Sequence, residues 1–313
     1  MNRREALGAI AAAGVAGNAA AAAPKQGPLK VSVFSKHLQW AEWEEMAAVA
    51  KQVGFDGIDL TVRAGGHVEP ARVQADLPKV ASIVRKAGLE LPMITAGIVD
   101  AESPHAEAIL ETAAGLGIPH YRWGGFRFEA KGPLPAQLEA LQPKVAKLEA
   151  LNRKYKIGAM YHTHSGPNQV GAAFWDLWLL LKDHDPSLVG VNFDVGHATI
   201  EGGLGDWVTS FRLLAPFTRG TAVKDFRWEK DPQGRWKVRW CPIGEGMVDF
   251  PRYFNMLKES GFQGPLQIHY EYDEMGGADA GKRQLTITRQ EVIGLLGKDL
   301  AEVRRHLAGA GLA

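Results

Sequence analysis

The sequence predicts an α/β protein built as a single closed (β/α)8 barrel, the TIM barrel fold. From residue 29 onward, short runs of apolar and β-branched residues alternate eight times with segments of helical period. This alternation is typical of parallel strands joined by right-handed helical crossovers. The 313 residues, 46% of them apolar, can bury one large core, and no Pro/Ser-rich linker or internal repeat divides them. We therefore expect one barrel over residues 29–308.

The strand predictions rest on short runs of apolar, β-branched and aromatic residues. They fall at residues 29–34, 57–62, 91–95, 120–123, 157–162, 189–193, 219–224 and 264–270. The helix predictions rest on apolar residues that recur with the period of an α-helix. They fall at residues 40–53, 70–87, 104–116, 135–155, 170–182, 201–214, 250–260 and 289–306, and Gly88 ends the second of them.

One insertion interrupts the alternation between strand seven and its helix, at about residues 226–249. It contains Trp228, Trp236 and Trp240 and an Asp-Pro-Gln-Gly turn at residues 231–234. Polar and apolar residues alternate on the far side of this turn, which predicts a β-hairpin. The hairpin could lie over the barrel mouth, where its tryptophans would either stack on a sugar ring or pack within the hairpin.

Residues 1–24 have the composition of a cleavable signal peptide. Arg3 and Arg4 precede a weakly hydrophobic Ala/Gly stretch, and small residues at positions 19–23 suit signal cleavage. The paired arginines, followed by Glu-Ala-Leu-Gly, resemble a twin-arginine signal. We expect the twin-arginine export machinery to carry the folded chain to the periplasm, with no membrane association after cleavage. A disordered, Ala-rich tail is the alternative.

The charge balance disfavours several classes of partner. The chain has 36 basic and 35 acidic residues and a formal net charge of +1, so we expect neither nucleic acid nor anionic lipid as a partner. The single cysteine, Cys241, cannot form a disulfide within the chain and belongs to no zinc-binding cysteine cluster. A small molecule is therefore the expected ligand, and a homo-oligomer stays open.

Polar side chains gather at the carboxyl ends of three predicted strands, which is where active sites lie in parallel barrels. Because side chains alternate along a strand, the members of each pair share one face. The pairs are His162 with His164 on strand five, Asn192 with Asp194 on strand six, and His269 with Glu271 on strand eight. Burial of so many polar groups is costly unless something pairs them.

A divalent metal ion is one such partner, since imidazole nitrogen and carboxylate oxygen are its usual ligands. Asp194, His162 and one of His269 or Glu271 would supply three ligands and leave positions open for substrate. The sequence does not choose between His269 and Glu271. The alternative is a rim of polar residues that hydrogen-bond one another or face solvent.

Four residues are candidates for the chemistry itself. Lys224, at the end of strand seven, can neutralise an oxyanion, and His197 or His164 can carry protons. Glu271 or His164 is the candidate base. His197 closes the stretch Phe-Asp-Val-Gly-His at residues 193–197, and its role as metal ligand or proton carrier stays open.

Five short motifs follow one another along the predicted barrel. They are Gly-Ile-Asp-Leu-Thr-Val-Arg at residues 57–63, Asp-Val-Gly-His at 194–197, Lys-Asp at 224–225, Gly-Glu-Gly-Met-Val-Asp-Phe at 244–250 and Phe-Gln-Gly-Pro-Leu at 262–266. Together they resemble the sugar phosphate isomerase/epimerase family, which has a xylose isomerase-like barrel. The most specific motif is Asp-Val-Gly-His, which is similar to the metal-binding D-x-G-H of that family. The likeness covers residues 29–273.

The resemblance implies that a metal ion helps to shift a proton between adjacent carbons of a sugar. The family holds Mn²⁺, Mg²⁺, Co²⁺ or Zn²⁺ with Glu, Asp, His and Glu on strands five to eight, and Asp194 stands at the Asp position. His162 stands at the strand-five Glu position, as in Tyr-His-x-His variants and inosose dehydratase-like members. Ala222 replaces the strand-seven His. On strand eight, either His269 or Glu271 stands at the Glu position.

Three functions follow as expectations. The first is a metal-dependent isomerase or epimerase that removes the proton next to a carbonyl of a sugar or keto-sugar. The second is a dehydratase, lyase or hydratase that acts on keto-sugars or keto-glycosides, and the His pair favours it. The third is a non-catalytic periplasmic carbohydrate-binding protein, which Ala222 favours. The abasic-site endonuclease branch of the same barrel is disfavoured because the charge balance indicates no basic groove.

One further residue bears on the substrate. Arg63, with Gly65 and Gly66 after strand two, could anchor an anionic group. An ordinary glycine turn is the favoured alternative, and no Gly-rich phosphate loop stands out in the sequence. The resemblance therefore does not by itself imply a phosphate on the substrate.

Overall fold

The structure, a computed structural model that describes residues 27–313, contains a closed barrel of parallel strands. In chain order the strands are β1 (Val31–Phe34), β2 (Gly57–Val62), β3 (Glu90–Ala96), β4 (His120–Trp123), β5 (Gly158–His162), β6 (Val189–Asp194), β7 (Thr218–Val223), β8 (Asp225–Lys230), β9 (Trp236–Cys241) and β10 (Leu266–Ile268). All but β8 and β9 belong to the barrel, in the order β1-β10-β7-β6-β5-β4-β3-β2. A parallel pairing of the first strand with the last, β1 with β10, closes it. The predicted (β/α)8 barrel is confirmed.

Helices connect the strands and pack on one another around the barrel. They are α1 (Trp43–Val53), α2 (Val73–Lys86), α3 (Ala106–Gly115), α4 (Leu134–Tyr155), α5 (Trp175–Leu181), α6 (Val195–Gly202), α7 (Asp206–Leu214), α8 (Phe250–Glu259) and α9 (Arg289–Ala310). Short 3₁₀ segments lie at Ser35–Leu38, Pro70–Arg72, Ala215–Phe217 and Asp273–Met275.

The barrel strands are buried on both faces, which explains why they read as nearly unbroken apolar runs in the sequence. Every residue of β2 and of β6 is buried. Helices cover the outer face of such a sheet, and side chains fill the inside of the barrel. Among the polar residues inside, Asn192 Nδ2 donates a hydrogen bond to Gln267 Oε1 at 2.9 Å. The polar groups at the carboxyl ends therefore stand on a packed interior.

Helix α5 begins at Trp175 and not at residue 170 as predicted. The preceding residues form a loop that is held by two contacts. Tyr161 Oη donates a hydrogen bond to Val170 O at 3.0 Å, and Gly171 N donates to Asp176 Oδ2 at 2.8 Å. The contact with Tyr161 comes from β5 and cannot be read from local helical periodicity.

The predicted helix at residues 201–214 contains all of α7 but only the last two residues of α6, which begins directly after β6 and was not predicted as a helix. Gly203, with φ of 54°, ends α6. Gly202 also lies against the start of α7, where a Cβ at residue 202 would be only 2.3 Å from Trp207 N. A continuous helix is therefore replaced by a sharp turn between two short ones.

The last barrel strand is shorter than predicted. It ends at Ile268, so His269 and Glu271 follow the strand instead of lying within or directly at its end. Lys224 likewise follows β7, which ends at Val223. These side chains consequently stand on the segments that leave the carboxyl end of the barrel.

An antiparallel hairpin lies between β7 and α8. Its two strands, β8 and β9, pair from Asp225 with Cys241 to Lys230 with Trp236. Trp236 is exposed and Trp240 is partly buried. The hairpin therefore keeps one end close to the barrel and extends the other into solvent.

Of the predictions about membranes and export, only that on membrane association concerns residues that the structure describes. Within residues 27–313, no helix is both long enough and apolar enough to cross a bilayer. The predicted signal peptide at residues 1–24, with its twin-arginine motif, lies outside the described residues.

Candidate active site at the mouth of the barrel

Asp194 stands at the point where β6 ends and α6 begins. It is the N-cap of α6, and its Oδ1 accepts a hydrogen bond from His197 N at 3.0 Å. This cap explains the spacing of the Asp-Val-Gly-His motif, because an N-cap side chain bonds the backbone of the second or third helical residue. Asp194 N donates in turn to Thr163 Oγ1 at 3.0 Å, which ties β6 to the end of β5. The cap leaves Asp194 Oδ2 unused.

Three buried side chains, those of Asp194, His162 and His269, converge near this oxygen, and we refer to them as the Asp194 triad. His162 Nε2 lies 3.5 Å and His269 Nδ1 lies 4.0 Å from Asp194 Oδ2. In the described part of the chain, Asp194 Oδ2 and both ring nitrogens of His269 have no hydrogen-bond partner. Buried polar atoms without a partner are rare, so the triad is a candidate site for a metal ion.

Asn192 orients one member of the triad from inside the barrel. Its Nδ2 lies 3.2 Å from His162 Nδ1 and donates to Gln267 Oε1. The opposite ring nitrogen, Nε2, is the one that faces Asp194. Packing inside the barrel thus sets the direction in which His162 presents its free nitrogen.

A second group within reach of a single ion consists of His162, His164 and His197. In this group, one ring nitrogen of His164 and both ring nitrogens of His197 already have partners. His164 Nε2 accepts a hydrogen bond from Arg122 Nη2 at 3.1 Å. His197 Nε2 accepts from Lys224 Nζ at 2.7 Å, and His197 Nδ1 lies 2.8 Å from Ser165 Oγ. The Asp194 triad therefore has the more open set of donor atoms.

Lys224 places a buried ammonium group beside the Asp194 triad. Its side chain is only 2% exposed, and Nζ donates to His197 Nε2 and, at 3.0 Å, to Glu271 Oε2. Nζ also lies 3.2 Å from Asp194 Oδ2, an ion pair without hydrogen-bond geometry. An ammonium has three N–H donors and here faces three acceptors. The charge of Lys224 is thus held in one place by its surroundings.

Gly196 makes room for this lysine. A Cβ at residue 196 would lie 2.8 Å from Lys224 Cγ and 2.9 Å from Lys224 O. Both distances are shorter than side chains tolerate, and one of the two atoms belongs to the backbone. The glycine of the Asp-Val-Gly-His motif is therefore required by the approach of β7 to the start of α6.

Glu271 is the more exposed carboxylate of the cluster, with 24% of its side chain accessible. Its Oε1 lies 3.6 Å from Lys36 Nζ, while its Oε2 bonds Lys224. Burial alone would raise the pKa of Glu271, but the two ammonium groups outweigh this effect and hold that pKa well below its ordinary value. Glu271 is therefore an ionised carboxylate at neutral pH.

The site histidines are held in their neutral form. Burial lowers the pKa of each ring, and the charges of Arg122 and Lys224 lower it further. The rings are His162, His197 and His269, whose pKa lies well below the ordinary value, and His164, whose pKa falls to about 3. Neutral imidazoles can accept protons or bind a metal ion.

The hairpin covers one side of the cluster through Trp240. The Trp240 ring stands perpendicular to that of His197 at a centroid distance of 5.2 Å, and Lys224 Nζ lies 4.4 Å from its centroid. Trp228 and Trp236 are 41% and 63% exposed. Of the three hairpin tryptophans, Trp240 is thus the one that contacts the site residues.

The structure places every site residue expected from the sequence in one cluster. These residues are His162, His164, Asp194, His197, Lys224, His269 and Glu271. Sequence reasoning missed Lys36, Arg122 and Ser165. Arg122 lies between the buried residues Tyr121 and Trp123 on β4, so alternation directs it to the opposite face. A charged residue inside an apolar strand was the signal that could have found it.

The glycines after β2 form a turn, as favoured above. Gly65 has φ of +69°, and its N–H donates to Glu69 Oε1 at 2.8 Å. Gly66 N donates to Arg63 O at 2.8 Å. These two N–H groups are used inside the loop, whereas the Arg63 guanidinium lies 5.5 Å from the centroid of the Phe34 ring.

A closed parallel barrel with titratable side chains at the carboxyl ends of its strands has the layout of the (β/α)8 barrel class, in which that end carries the functional residues. Within this class, the chain belongs to the xylose isomerase-like TIM barrel family, whose model matches residues 47–292, more than half of the chain. A comparison with curated protein sequences gives no significant match.

Solved structures of other proteins share this fold at low sequence identity. An L-ribulose 3-epimerase is 16% identical with a TM-score of 0.67, over 90% of this chain and 96% of that one. The IOLI protein with a binding zinc atom is 15% identical with a TM-score of 0.69, over 89% and 99%. A 3-keto-D-glucoside 4-epimerase from E. coli, in its apo form, is 16% identical with a TM-score of 0.63, over 88% and 99%. At these identities the likeness shows the fold alone.

Proposed function

We propose that this protein is a sugar isomerase or epimerase that removes a proton from the carbon next to a carbonyl of a sugar or keto-sugar. One observation carries the proposal: the ionised carboxylate of Glu271 lies 3.0 Å from the Lys224 ammonium, beside the Asp194 triad. Proton abstraction moves negative charge from the base to the carbonyl oxygen, so a base and a fixed positive charge are both needed. The sugar epimerases among the structural neighbours support the same class of reaction.

In this proposal Glu271 is the base. It takes the proton from the carbon, the electron pair of the C–H bond moves towards the carbonyl oxygen, and Lys224 stabilises the resulting enediolate oxyanion. Delivery of a proton to the opposite face by a second donor gives an epimer. Return of the proton from Glu271 to the former carbonyl carbon, with transfer of the hydroxyl proton to the former carbonyl oxygen, gives an isomer. The lysine contacts make Glu271 a weak base in the free protein. A substrate oxygen that accepts a hydrogen bond from Lys224 competes with Glu271 for the ammonium group and so raises the basicity of Glu271.

His164 and His197 have different roles in this proposal. His164 is the second candidate base, but its Nε2 already accepts a hydrogen bond from Arg122, so Glu271 is the better placed. His197 accepts from Lys224 and contacts Ser165, which is partly exposed. This chain of hydrogen bonds can pass a proton between Lys224 and the rim, which favours His197 as proton carrier over metal ligand.

The Asp194 triad fits a divalent metal ion. Asp194 Oδ2 and the nitrogens of His269 are buried without hydrogen bonds, and two imidazoles with one carboxylate suit zinc, manganese or cobalt. His162, Asp194 and His269 would hold the ion, while Glu271 stays with Lys224. A divalent ion there would polarise the substrate carbonyl and acidify the neighbouring C–H bond. The zinc atom of the IOLI protein supports this proposal.

A dehydratase, lyase or hydratase is the second candidate, because the same proton abstraction can end in loss of a neighbouring hydroxyl group. That outcome needs an acid for the leaving hydroxyl. The neutral histidines are poorly suited to supply the proton, so the Lys224 ammonium would have to do so.

A non-catalytic sugar binder is the third candidate, since Ala222 replaces a metal-ligand position of the family. Ala222 lies in register with Asp194 on the neighbouring strand. Lys224, two residues further along the same face, brings its ammonium group to Asp194. A buried cation and an ionised carboxylate are more than a simple sugar pocket needs, so this candidate is the least favoured.

Deuterium exchange tests the proposal. The protein, supplied with Mn²⁺ or Zn²⁺, is incubated in D₂O with a panel of ketoses and keto-sugars, and NMR follows deuterium at the carbon next to the carbonyl. We expect exchange in at least one sugar, and a rate about 10²–10⁴-fold lower in Glu271→Gln. Glu274→Gln, which changes an exposed carboxylate three residues further on, is the matched control. Loss of water would identify the lyase outcome, and no exchange across the panel would contradict both reactions.

We also propose that residues 1–24 direct the folded chain to the periplasm through the twin-arginine machinery. The paired arginines and the small-residue run that follows support this proposal. Replacement of Arg3 and Arg4 by lysine should leave the protein in the cytoplasmic fraction. The homo-oligomer stays a prediction that sedimentation of the purified protein would test.

A further inference from the structure

Three cationic side chains surround the ring of Phe34 at the end of β1. Lys36 Nζ and the guanidinium carbons of Arg63 and Arg122 lie 5.8, 5.5 and 5.8 Å from its centroid. The three side chains come from different segments, namely those that follow β1 and β2 and the middle of β4, and all three are partly buried. We refer to them as the cationic cluster.

The cationic cluster has few anionic partners. Lys36 forms an ion pair with Glu271 at 3.6 Å. Arg122 donates a hydrogen bond to His164 Nε2, which is an uncharged acceptor and not a carboxylate. Within residues 27–313, neither Arg63 nor Arg122 has a carboxylate oxygen within 4.0 Å. Partly buried guanidinium groups without a counter-ion are unfavourable unless a ligand pairs them.

Asp59 attracts both guanidinium groups electrostatically but contacts neither of them within 4.0 Å. It is fully buried, both of its oxygens lie 2.9 Å from Thr95 Oγ1, and burial raises its pKa to about 6. The pocket therefore contains four cationic side chains, namely the three of the cationic cluster and Lys224. It contains three carboxylates, those of Asp59, Asp194 and Glu271. A divalent ion at the Asp194 triad would enlarge this excess of positive charge.

The cationic cluster borders the Asp194 triad. The Phe34 ring stacks on the His269 ring at a centroid distance of 4.7 Å. Arg122 contacts His164, whose ring lies 4.6 Å from that of His162. A single molecule of the size of a sugar can therefore contact both the cluster and the triad.

We propose that the substrate carries an anionic group, the carboxylate or the phosphate ester of a sugar, and that Arg63 and Arg122 bind it while the reacting carbons face Lys224 and the Asp194 triad. This inference rests on the sugar isomerase or epimerase function proposed above. A guanidinium group suits the task because its parallel N–H donors pair with two oxygens of one carboxylate or phosphate. The anion also balances the positive charge of the pocket.

A purely structural role for the two arginines is the competing explanation. A guanidinium group near an aromatic ring gains cation–π stabilisation, so Arg63 and Arg122 could serve only to support Phe34. In that case, replacement of either arginine would change the stability of the protein but not its preference among ligands.

The test compares three ligands that differ only at carbon 6. D-Fructose carries a neutral hydroxymethyl group there, D-fructuronate a carboxylate and D-fructose 6-phosphate a phosphate ester. Titration calorimetry of the full chain with Mn²⁺ present should show at least one anionic ligand binding roughly tenfold or more tightly than D-fructose. The preference should shrink as salt is added. The tighter of the two anionic ligands identifies the source of the anion.

Variants assign the preference to the arginines. Arg63→Gln and Arg122→Gln should each raise the Kd of the anionic ligand roughly 10–100-fold and leave that of D-fructose within about twofold. Arg122→Lys keeps the charge but loses the paired donors, so its effect should be intermediate. Arg212→Gln, on the exposed side of α7, is the matched control and should change nothing. Equal binding of all three ligands, or a preference that survives both glutamine variants, overturns the inference.

Asp194→Asn separates this inference from metal chelation and from the proposed function. The preference should persist in this variant, because the arginines are unchanged. Its loss there, together with its survival in Arg63→Gln, would assign the anion to the metal site and overturn the inference. Anion preference without deuterium exchange in any sugar would count against the isomerase and leave the anion site standing. Deuterium exchange on D-fructose without a preference for anionic ligands would support the isomerase and overturn the anion site.

Discussion

Lys224 Nζ lies 2.7 Å from His197 Nε2, and this contact orders the protons around the candidate site. The ammonium is the donor, so the neutral His197 ring carries its proton on Nδ1, which donates to Ser165 Oγ at 2.8 Å. Both nitrogens of His197 are then engaged. The two histidines therefore differ: His197 forms a hydrogen bond with Lys224, whereas both ring nitrogens of His269 are unpaired and could bind a metal ion.

Replacement of Lys224 by methionine should abolish turnover and make the metal-free protein less stable. Asp194 and Glu271 would lose the ammonium group that pairs them, and a buried unpaired carboxylate costs on the order of 3–5 kcal/mol. The second effect should be repaired by a metal ion, which can replace the lost charge at Asp194. Thermal unfolding in EDTA measures the loss of stability, and thermal unfolding with Mn²⁺ measures its repair. We expect a larger metal-induced rise in Tm in Lys224→Met than in the unmodified protein.

Lys51→Met, which changes an exposed lysine on α1, is the control for this comparison and should leave the metal-induced rise unchanged. A Lys224→Met protein that no longer responds to Mn²⁺ would show that the lysine supports the metal site instead of sharing Asp194 with it.

Gly196→Ala should displace Lys224 and lower stability. The added Cβ would lie 2.8 Å from Lys224 Cγ and 2.9 Å from Lys224 O, and relief of such overlap typically costs about 1–3 kcal/mol. Gly294→Ala on α9 is the matched control, because nothing lies within 4 Å of its Cβ position. In the control, alanine should stabilise the helix by about 0.5–1 kcal/mol. Urea unfolding of both variants checks the contrast, and equal effects would contradict the tight approach at residue 196.

The barrel could be predicted because the physics of its strands is local. A strand buried on both faces, such as β6, must be almost wholly apolar, and that run is visible in the sequence. The predicted helix boundaries were wrong where contacts with residues distant in the sequence determine them. The loop before α5 is held by Tyr161, and the break between α6 and α7 places Gly202 against Trp207. Local periodicity carries no information about either contact.

The candidate site was predictable in part for the same reason. Histidines and carboxylates at strand ends are conspicuous in an apolar run, but Lys36 becomes relevant only through closure of the barrel. Closure pairs β1 with β10 and sets Lys36 Nζ 3.6 Å from Glu271 Oε1. His269 and Glu271 share one face by alternation and could not be told apart. Lys224 pairs with Glu271 and leaves the nitrogens of His269 unpaired, which favours His269 as the ligand in the proposed metal site.

Metal affinity should depend on His269 and much less on His164. His269 has two unpaired nitrogens beside Asp194, whereas His164 already accepts a hydrogen bond from Arg122. Loss of one ligand of a three-residue site should weaken Mn²⁺ or Zn²⁺ binding by roughly 10–100-fold or more. Equilibrium dialysis with metal analysis compares His269→Gln with its matched control His164→Gln. The reverse order of affinities would move the candidate metal site to the three-histidine group.

Asp299 is a buried carboxylate away from the site. It lies on α9, and its Oδ1 accepts a hydrogen bond from Ile243 N at 3.3 Å while its Oδ2 accepts from Tyr272 Oη at 3.2 Å. Burial raises its pKa to about 7, because these two hydrogen bonds do not make up for lost hydration. The folded protein thus retains a proton at Asp299 that the unfolded chain releases near pH 4.

This difference predicts a loss of stability as the pH rises from about 4 to about 7, because in that window the folded state binds the proton and the unfolded state does not. At roughly 1.4 kcal/mol per pKa unit, the contribution of Asp299 is on the order of 4 kcal/mol. Asp299→Asn has no proton to lose and keeps groups that can bond Ile243 and Tyr272, so it should match the unmodified protein near pH 4.5 and exceed its stability at pH 8. Urea unfolding at both pH values measures the difference. Asp299→Ala loses both hydrogen bonds, so it should be less stable than Asp299→Asn at either pH. An Asp299→Asn protein that is the less stable at pH 8 would mean that the folded protein favours the charged carboxylate.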